Sequence, residues 1–344
     1  VSEAVPHAVI DEPTALRSFA TSISAVLVKE ARWRMRGRRA FVLVSIYVAL
    51  LALLVFAIDR LVQDSLAQRA QWSGMVIEGS GMISGAESAI VGQTIFATLL
   101  SLQLVLTLLV APALSSGAIS GEREKQTLEM LITTPASTLG LVAGKLASSL
   151  AFVVLLTLAS VPLMSLVFVF GGIAPDDVLR AYVYLLVVAF GIGSIGLLLS
   201  AMVRRSQVAT ALAYVVVFVL CVVTLFIHTW ASVRSGDFDG RPQPASELLL
   251  LLNPFVGELD LLCTAIPDSF GVTCAYSSFI TGGGIMPADP QRDVFWPRSA
   301  AAFALVGIGL TLLTTQLIAP SRRLRRLRRR TQVQPAAEVS PPPA

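Results

Sequence analysis

The chain has 344 residues, of which 55% are hydrophobic and only 14% charged, with a formal net charge of +4. Soluble domains carry about a quarter charged residues, so this composition, with a mean hydropathy of +0.75, excludes a water-soluble globular protein. Several apolar runs reach the roughly 20 residues a bilayer-crossing helix requires, which points to an all-α polytopic membrane protein.

Residues 1–13 are polar, contain Pro6 and Pro13, and are expected to be disordered. From Thr14 to Arg39, Leu16, Phe19, Ile23, Val26 and Leu27 recur at helical spacing, followed by Lys29, Arg32, Arg34, Arg36, Arg38 and Arg39. The pattern predicts an amphipathic helix on the inner leaflet, with Trp33 at the interface and basic side chains on anionic lipid headgroups. A plain basic flank is the alternative reading. No cleavable signal peptide is expected, because the first long apolar run comes after this polar stretch.

The first span is predicted over 41–58, closed by Asp59 and Arg60; at 1.5 Å per residue it covers about 27 Å. A polar loop with a short helix around 61–71 follows, then a second span over 90–119. Next comes a charged island, Ser120 to Pro135, rich in helix formers. Lys125 and Glu129 are spaced to pair, Leu128, Leu131 and Ile132 share a face, and Pro135 turns Thr134 out of the helical region. A helix so short and charged is expected to lie along the membrane surface or dock into a partner.

The third span is predicted over 138–170, with Ser137 as N-cap and Lys145 below the membrane or snorkelling. Gly171 to Pro175 forms a short turn, and Asp176 or Asp177 caps a fourth span, 177–203. A basic turn at Arg204-Arg205 leads to the fifth, 208–231. The loop 232–297 contains two apolar stretches, 246–255 and 256–266, too short to cross. They read as re-entrant or interfacial helices broken at Pro254. The sixth span is predicted over 300–318, followed by an Arg-rich segment, 322–330, and a Pro-rich tail.

Six spans with both termini inside place most of the 26 Lys and Arg on the inner face and most of the 22 Asp and Glu on the outer, as topology rules require. No Asp or Glu falls within the six runs. Ion-driven carriers keep ionisable groups at membrane depth, so the energy for transport is expected to come from outside the chain.

Several motifs are decoys. Gly140-x-x-x-Gly144-Lys145-Leu146 resembles a phosphate loop but is one residue short and lacks the magnesium-binding Ser or Thr. Gly191-Ile-Gly193-Ser-Ile-Gly196 matches a dinucleotide fingerprint by letter but sits inside an apolar helix, where close helix packing is the expectation. His7 and His228 have no partners at metal-ligand spacing, so no metal site is expected. Gln93, Gln103 and Gln316 are polar groups within spans, read as interhelical hydrogen-bonders or as part of a translocation path. Cys221 reads as a core residue; Cys263 and Cys274 share one outer loop, where a disulfide and free thiols are both open. The Arg-rich tail directly follows a span, which favours lipid headgroups over nucleic acid.

The island also carries a resemblance. Glu122-Arg123-Glu124-Lys125-x-Thr127-Leu128-Glu129-x-Leu131-x-Thr133-Thr134-Pro135, followed by Ser137 and Gly144-Lys145, resembles the cytoplasmic coupling segment of ABC type-2 exporter permeases, with Gln126 where that family usually has Gly. The resemblance implies a permease domain over 14–320 with a basic, then Pro-rich, tail over 321–344. It implies an elbow helix before span one, a coupling helix over 120–135, and outer re-entrant helices before span six. Glu122, Glu124 and Glu129 are then expected to pair with basic residues of a partner ATPase. Arg123, Thr134 and Pro135 belong to the same segment, Thr127 is a hydrogen-bonder at the cleft, and Leu128, Leu131 and Ile132 are its apolar filling. ATP and magnesium would belong to that separate ATPase, with no cofactor on this chain. A second permease subunit, identical or related, completes the transporter, in a bacterial plasma (inner) membrane. The alternative is a non-transporting membrane scaffold or assembly factor of the same fold.

Overall fold

The computed structural model of the protein describes residues 38–72, 84–126, 138–235, 244–266 and 295–318. Among them there is no strand, and six helical segments are long and apolar enough to cross a membrane: Val44–Asp64, Ser88–Glu124, Thr138–Phe170, Pro175–Met202, Ser206–Ala231 and Phe295–Ile318. The elbow helix expected before span one and the tail after span six lie outside the described residues, apart from Arg38 and Arg39.

The first span belongs to a longer helix, α1 (Arg38–Trp72). It does not end at Asp59. Gln63 Nε2 donates to Asp59 Oδ1 at 2.9 Å, and the Arg60 guanidinium lies 5.1 Å from the Phe56 ring centroid. Both pairs are four residues apart and reinforce the helix, so the charges end the apolar stripe without ending the backbone. The second span is α2 (Ser84–Ser115), continued through a turn into the five-residue α3 (Ser120–Glu124).

The third span is helical in three pieces, α4 (Thr138–Ala159), α5 (Val161–Met164) and α6 (Leu166–Phe170). Pro162 has no N–H to continue the ladder, which explains the break at Ser160. Gly171 and Gly172, with φ of 85° and 88°, make the predicted turn. The fourth span, α7 (Pro175–Met202), is capped differently from expectation: Ala174 is the N-cap, Pro175 follows it, and both aspartates lie in the first turn. There Asp176 and Asp177 pair with Arg180 at 3.2 and 3.9 Å, satisfying charge through side chains rather than through the backbone cap.

The fifth span comprises α8 (Ser206–Phe218), a π-helical turn (Val219–Val223) and α9 (Thr224–Ser235). Two short helices, α10 (Pro244–Leu251) and α11 (Pro254–Ala265), meet at the predicted break, and α12 (Phe295–Ile318) is the sixth span.

α7 is the central element, packed on α12, α2, α8, α4 and α11. Of its apolar window 61% is buried, against 17% for the first span. Its glycines explain how closely it meets α12: a Cβ on Gly191 would stand 2.7 Å from the Phe303 ring, and one on Gly307 would collide with Phe190. The fingerprint-like glycines therefore include a packing surface for an aromatic ring, the small-residue solution to close helix approach.

The spans carry no Asp or Glu in their apolar runs, yet ionisable groups are buried in the bundle: Lys145 and Glu258 are each 3% exposed and Asp260 is 5% exposed. The two carboxylates arrive on α11, which folds back against α2, α7 and α12. Counting charges along the spans misses a non-crossing helix that the tertiary fold inserts among them.

Candidate functional site

At the end of the bundle where α2 stops, four spans converge on α3. The chain keeps a helical course through 116–119, with Ser116 N–H donating to Pro112 O and Gly121 N–H to Gly117 O. The free amides of Ile119 and Ser120 both donate to Ser200 Oγ of α7, each at 2.9 Å. Ser120 Oγ donates to Ser116 O, and Ser116 Oγ lies 2.6 Å from Thr210 Oγ1 of α8. Ser116, Ser120 and Ser200 are buried, so these bonds satisfy groups that water does not reach.

Two carboxylates then tie α3 to its neighbours. Lys145 Nζ donates to Glu122 Oε1 at 2.6 Å, with the lysine side chain 4% exposed and the glutamate 26%. The tertiary fold brings an acid to Lys145 inside the junction. Glu124 caps the fifth span: Ser206 N–H donates to Oε1 at 2.8 Å and Ser206 Oγ to Oε2 at 3.0 Å. The free amides and positive dipole end of α8 make this a favourable place for an anion.

The helix expected over 120–135 closes at Glu124, with Lys125 as C-cap and Gln126 at φ 56°. That left-handed backbone explains why a glycine suits this position: only Gly adopts it without Cβ crowding. Lys125 and Gln126 are exposed and Arg123 is partly so. Thr127, Leu128, Glu129, Leu131, Ile132, Thr134 and Pro135 lie outside the described residues.

The remaining predicted residues separate. Gln103 is 2% exposed and belongs to a network: Tyr47 OH donates to its Oε1 and its Nε2 donates to Ser160 Oγ, each at 2.6 Å. Ser160 Oγ donates to Thr157 O, and Tyr182 OH lies 3.0 Å from it. These bonds join spans one to four at the break in the third. Gln93 Nε2 donates to Gly172 O at 3.3 Å, while Gln316 is exposed on α12. Cys263 is disulfide-bonded and Cys221 is a free thiol; Cys274 lies outside the described residues. Among the described residues no three His, Cys, Asp or Glu side chains are grouped to hold a metal ion.

A family model described as ABC-2 family transporter protein matches residues 24–264, well over half of the chain. The chain belongs to the ABC-2 transporter family. It is a multi-pass membrane transport component, of a family that implies partnership with ABC ATPase subunits. No curated protein matches the chain.

In this ABC-2 transporter protein the charged island is a junction first: α3 is bonded to α4, α7 and α8 by Glu122, Ser120 and Glu124. Lys145 was legible as a costly charge in an apolar run, but its partner lies 23 residues away, at no helical spacing. Asn253 shows a second such link. Its Oδ1 accepts from Phe255 N–H at 3.0 Å as the N-cap of α11. Its Nδ2 donates to Cys221 O and Thr224 Oγ1 of the fifth span, at 3.0 and 2.9 Å. The sequence reading missed this cap, for which the Asn-Pro pair was the available signal; nothing local signalled the tie to the π turn.

Proposed function

We propose that the protein is the permease subunit of an ATP-driven ABC exporter, coupled through residues 120–135 to a separate cytoplasmic ATPase that binds ATP and magnesium. The observation that carries this reading is the double attachment of α3, by Glu122 to Lys145 of the third span and by Glu124 to Ser206 of the fifth. A segment fastened in this way passes a push on its exposed continuation to several spans at once.

Glu122 and Glu124 are on this reading the base of the lever, and Thr127, Leu128, Glu129, Leu131 and Ile132 are its ATPase-facing part. The α3 end and both termini are cytoplasmic, basic residues meet anionic lipid, and α10–α11 lie toward the far side of a bacterial plasma membrane. A second copy or a relative supplies the other half of the path. Apolar side chains such as Phe41, Leu53 and Phe226, exposed by 74%, 67% and 65%, support a surface facing lipid or that second subunit.

Co-purification with candidate ABC ATPases tests the reading, combined with Thr127→Ala and Glu129→Ala. Export predicts ATPase binding and loss of ATP-driven transport in the variants. The scaffold alternative predicts that neither substitution changes assembly and that no substrate moves.

A further inference from the structure

The buried carboxyl of Glu258 is used by nothing described so far. It sits on α11, 3% exposed, and among the described residues its Oε1 has no hydrogen-bond partner. α11 lies against α2, α7, α12, α10 and the π turn of the fifth span. The groups it meets are mostly committed. Tyr184 OH of α7 donates to Pro254 O at 2.9 Å, and Ser299 Oγ of α12 donates to Leu251 O at 2.9 Å. Asp260, the second acid of α11, accepts from Trp296 N–H at 3.0 Å and so holds the start of α12. Cys221 of the π turn is a buried free cysteine, and Arg298 of α12 is exposed. Ser101 of α2 is the hydrogen-bonding side chain that reaches Glu258. An ionised carboxylate here would be buried, with no cation paired to it among the described residues.

We propose that Glu258 is a proton-binding site: its carboxyl takes a proton from bulk water when α11 seats between the second, fourth and sixth spans, and returns it when α11 lifts. The ligand is a proton, and its binding is linked to the position of the α10–α11 pair. The close fit of α11 supports this coupling, since a Cβ on Gly257 would collide with Tyr184 and stand 2.9 Å from Ser299 Oγ. Such packing leaves the helix either seated or displaced, with little room between.

The charge balance sets the direction. Burial pushes the Glu258 carboxyl up from its ordinary 4.5 to about 7, with the Ser101 hydrogen bond partly opposing the rise. The seated state therefore has its full stability below the ordinary value and loses it as pH rises through about 7, because only the displaced state ionises freely. The site rests on the packing described here and does not depend on the exporter reading.

The test uses the full chain in lipid nanodiscs. Amide exchange of residues 254–265, corrected for the intrinsic pH dependence of exchange, is expected to lose protection on the order of a hundredfold between acidic and mildly alkaline pH. Glu258→Gln should abolish that dependence. Protection that is flat in the wild-type chain, or that falls equally in Glu258→Gln, overturns the proposal. If Glu258→Gln does not fold, infrared difference spectra of the wild-type and Ser101→Ala chains decide. A protonated-carboxyl band titrating near neutral pH, with its midpoint moved up in Ser101→Ala, is expected; a missing band or an unmoved midpoint overturns it.

Discussion

Lys145 Nζ stands 2.6 Å from Glu122 Oε1, joining the start of the third span to the segment that ends the second. Because the lysine side chain is only 4% exposed, removing Glu122 takes away the carboxylate that stands against a buried charge. Glu122→Gln is expected to destabilise the protein by about 3 kcal/mol. The double variant Glu122→Gln with Lys145→Met should recover much of the loss, since the buried ammonium is then removed along with its carboxylate. Thermal unfolding in detergent, arranged as a double-mutant cycle, measures the coupling; additive effects would mean that the pair is not an interacting unit.

The capping role of Glu124 is a local matter with a local readout. Both of its carboxylate oxygens accept from Ser206, and the group is exposed, so Glu124→Ala should cost only about 0.5 kcal/mol. Amide exchange at 206–210 should nonetheless rise, as the first turn of the fifth span frays. Exchange unchanged in that turn would show that water replaces the cap without loss.

Gln126 occupies a left-handed backbone at φ 56°. Gln126→Gly is expected to raise stability by about 0.5 kcal/mol, the relief of Cβ crowding outweighing the greater freedom of glycine in the unfolded chain. Gln126→Val should do the reverse by more, because a β-branched side chain crowds this conformation hardest. The ordering Gly, Gln, Val in unfolding midpoint is the check.

The two glutamines that face different surroundings give a paired test. Gln103→Leu removes the 2.6 Å acceptor of Tyr47 OH and a bond to Ser160, and should cost about 1 kcal/mol. The first span, which is mostly peripheral, should become more sensitive to proteolysis and exchange. Gln316→Leu, on an exposed face of α12, should leave both unchanged. Equal effects from the two would contradict a specific network.

Close packing between α7 and α12 predicts intolerance of one added carbon. Gly191→Ala and Gly307→Ala drive a methyl into Phe303 and Phe190 respectively, and each should destabilise by about 2 kcal/mol. Phe303→Leu combined with Gly191→Ala should restore part of that, read in the same unfolding assay.

By itself the sequence determined the number of spans, their order, the break before Pro254 and the turn at Gly171-Gly172. These are settled by local quantities: the length of an apolar run against the bilayer, and the backbone limits of Pro and Gly. It also marked residues 120–135 as the segment of interest, since charge between apolar runs stands out without any fold. What only the tertiary structure decided was which partners the charged groups meet. Glu122 finds Lys145 and Glu124 finds Ser206 across gaps of 23 and 82 residues, and no periodicity encodes such pairings. Glu258 is the sharpest case. In the sequence it is an acid in a loop between spans, and only the folding of α11 back against α2, α7 and α12 takes it out of water. Burial is a property of the surroundings a residue acquires, so the chain order that fixed the spans left the interior charges unassigned.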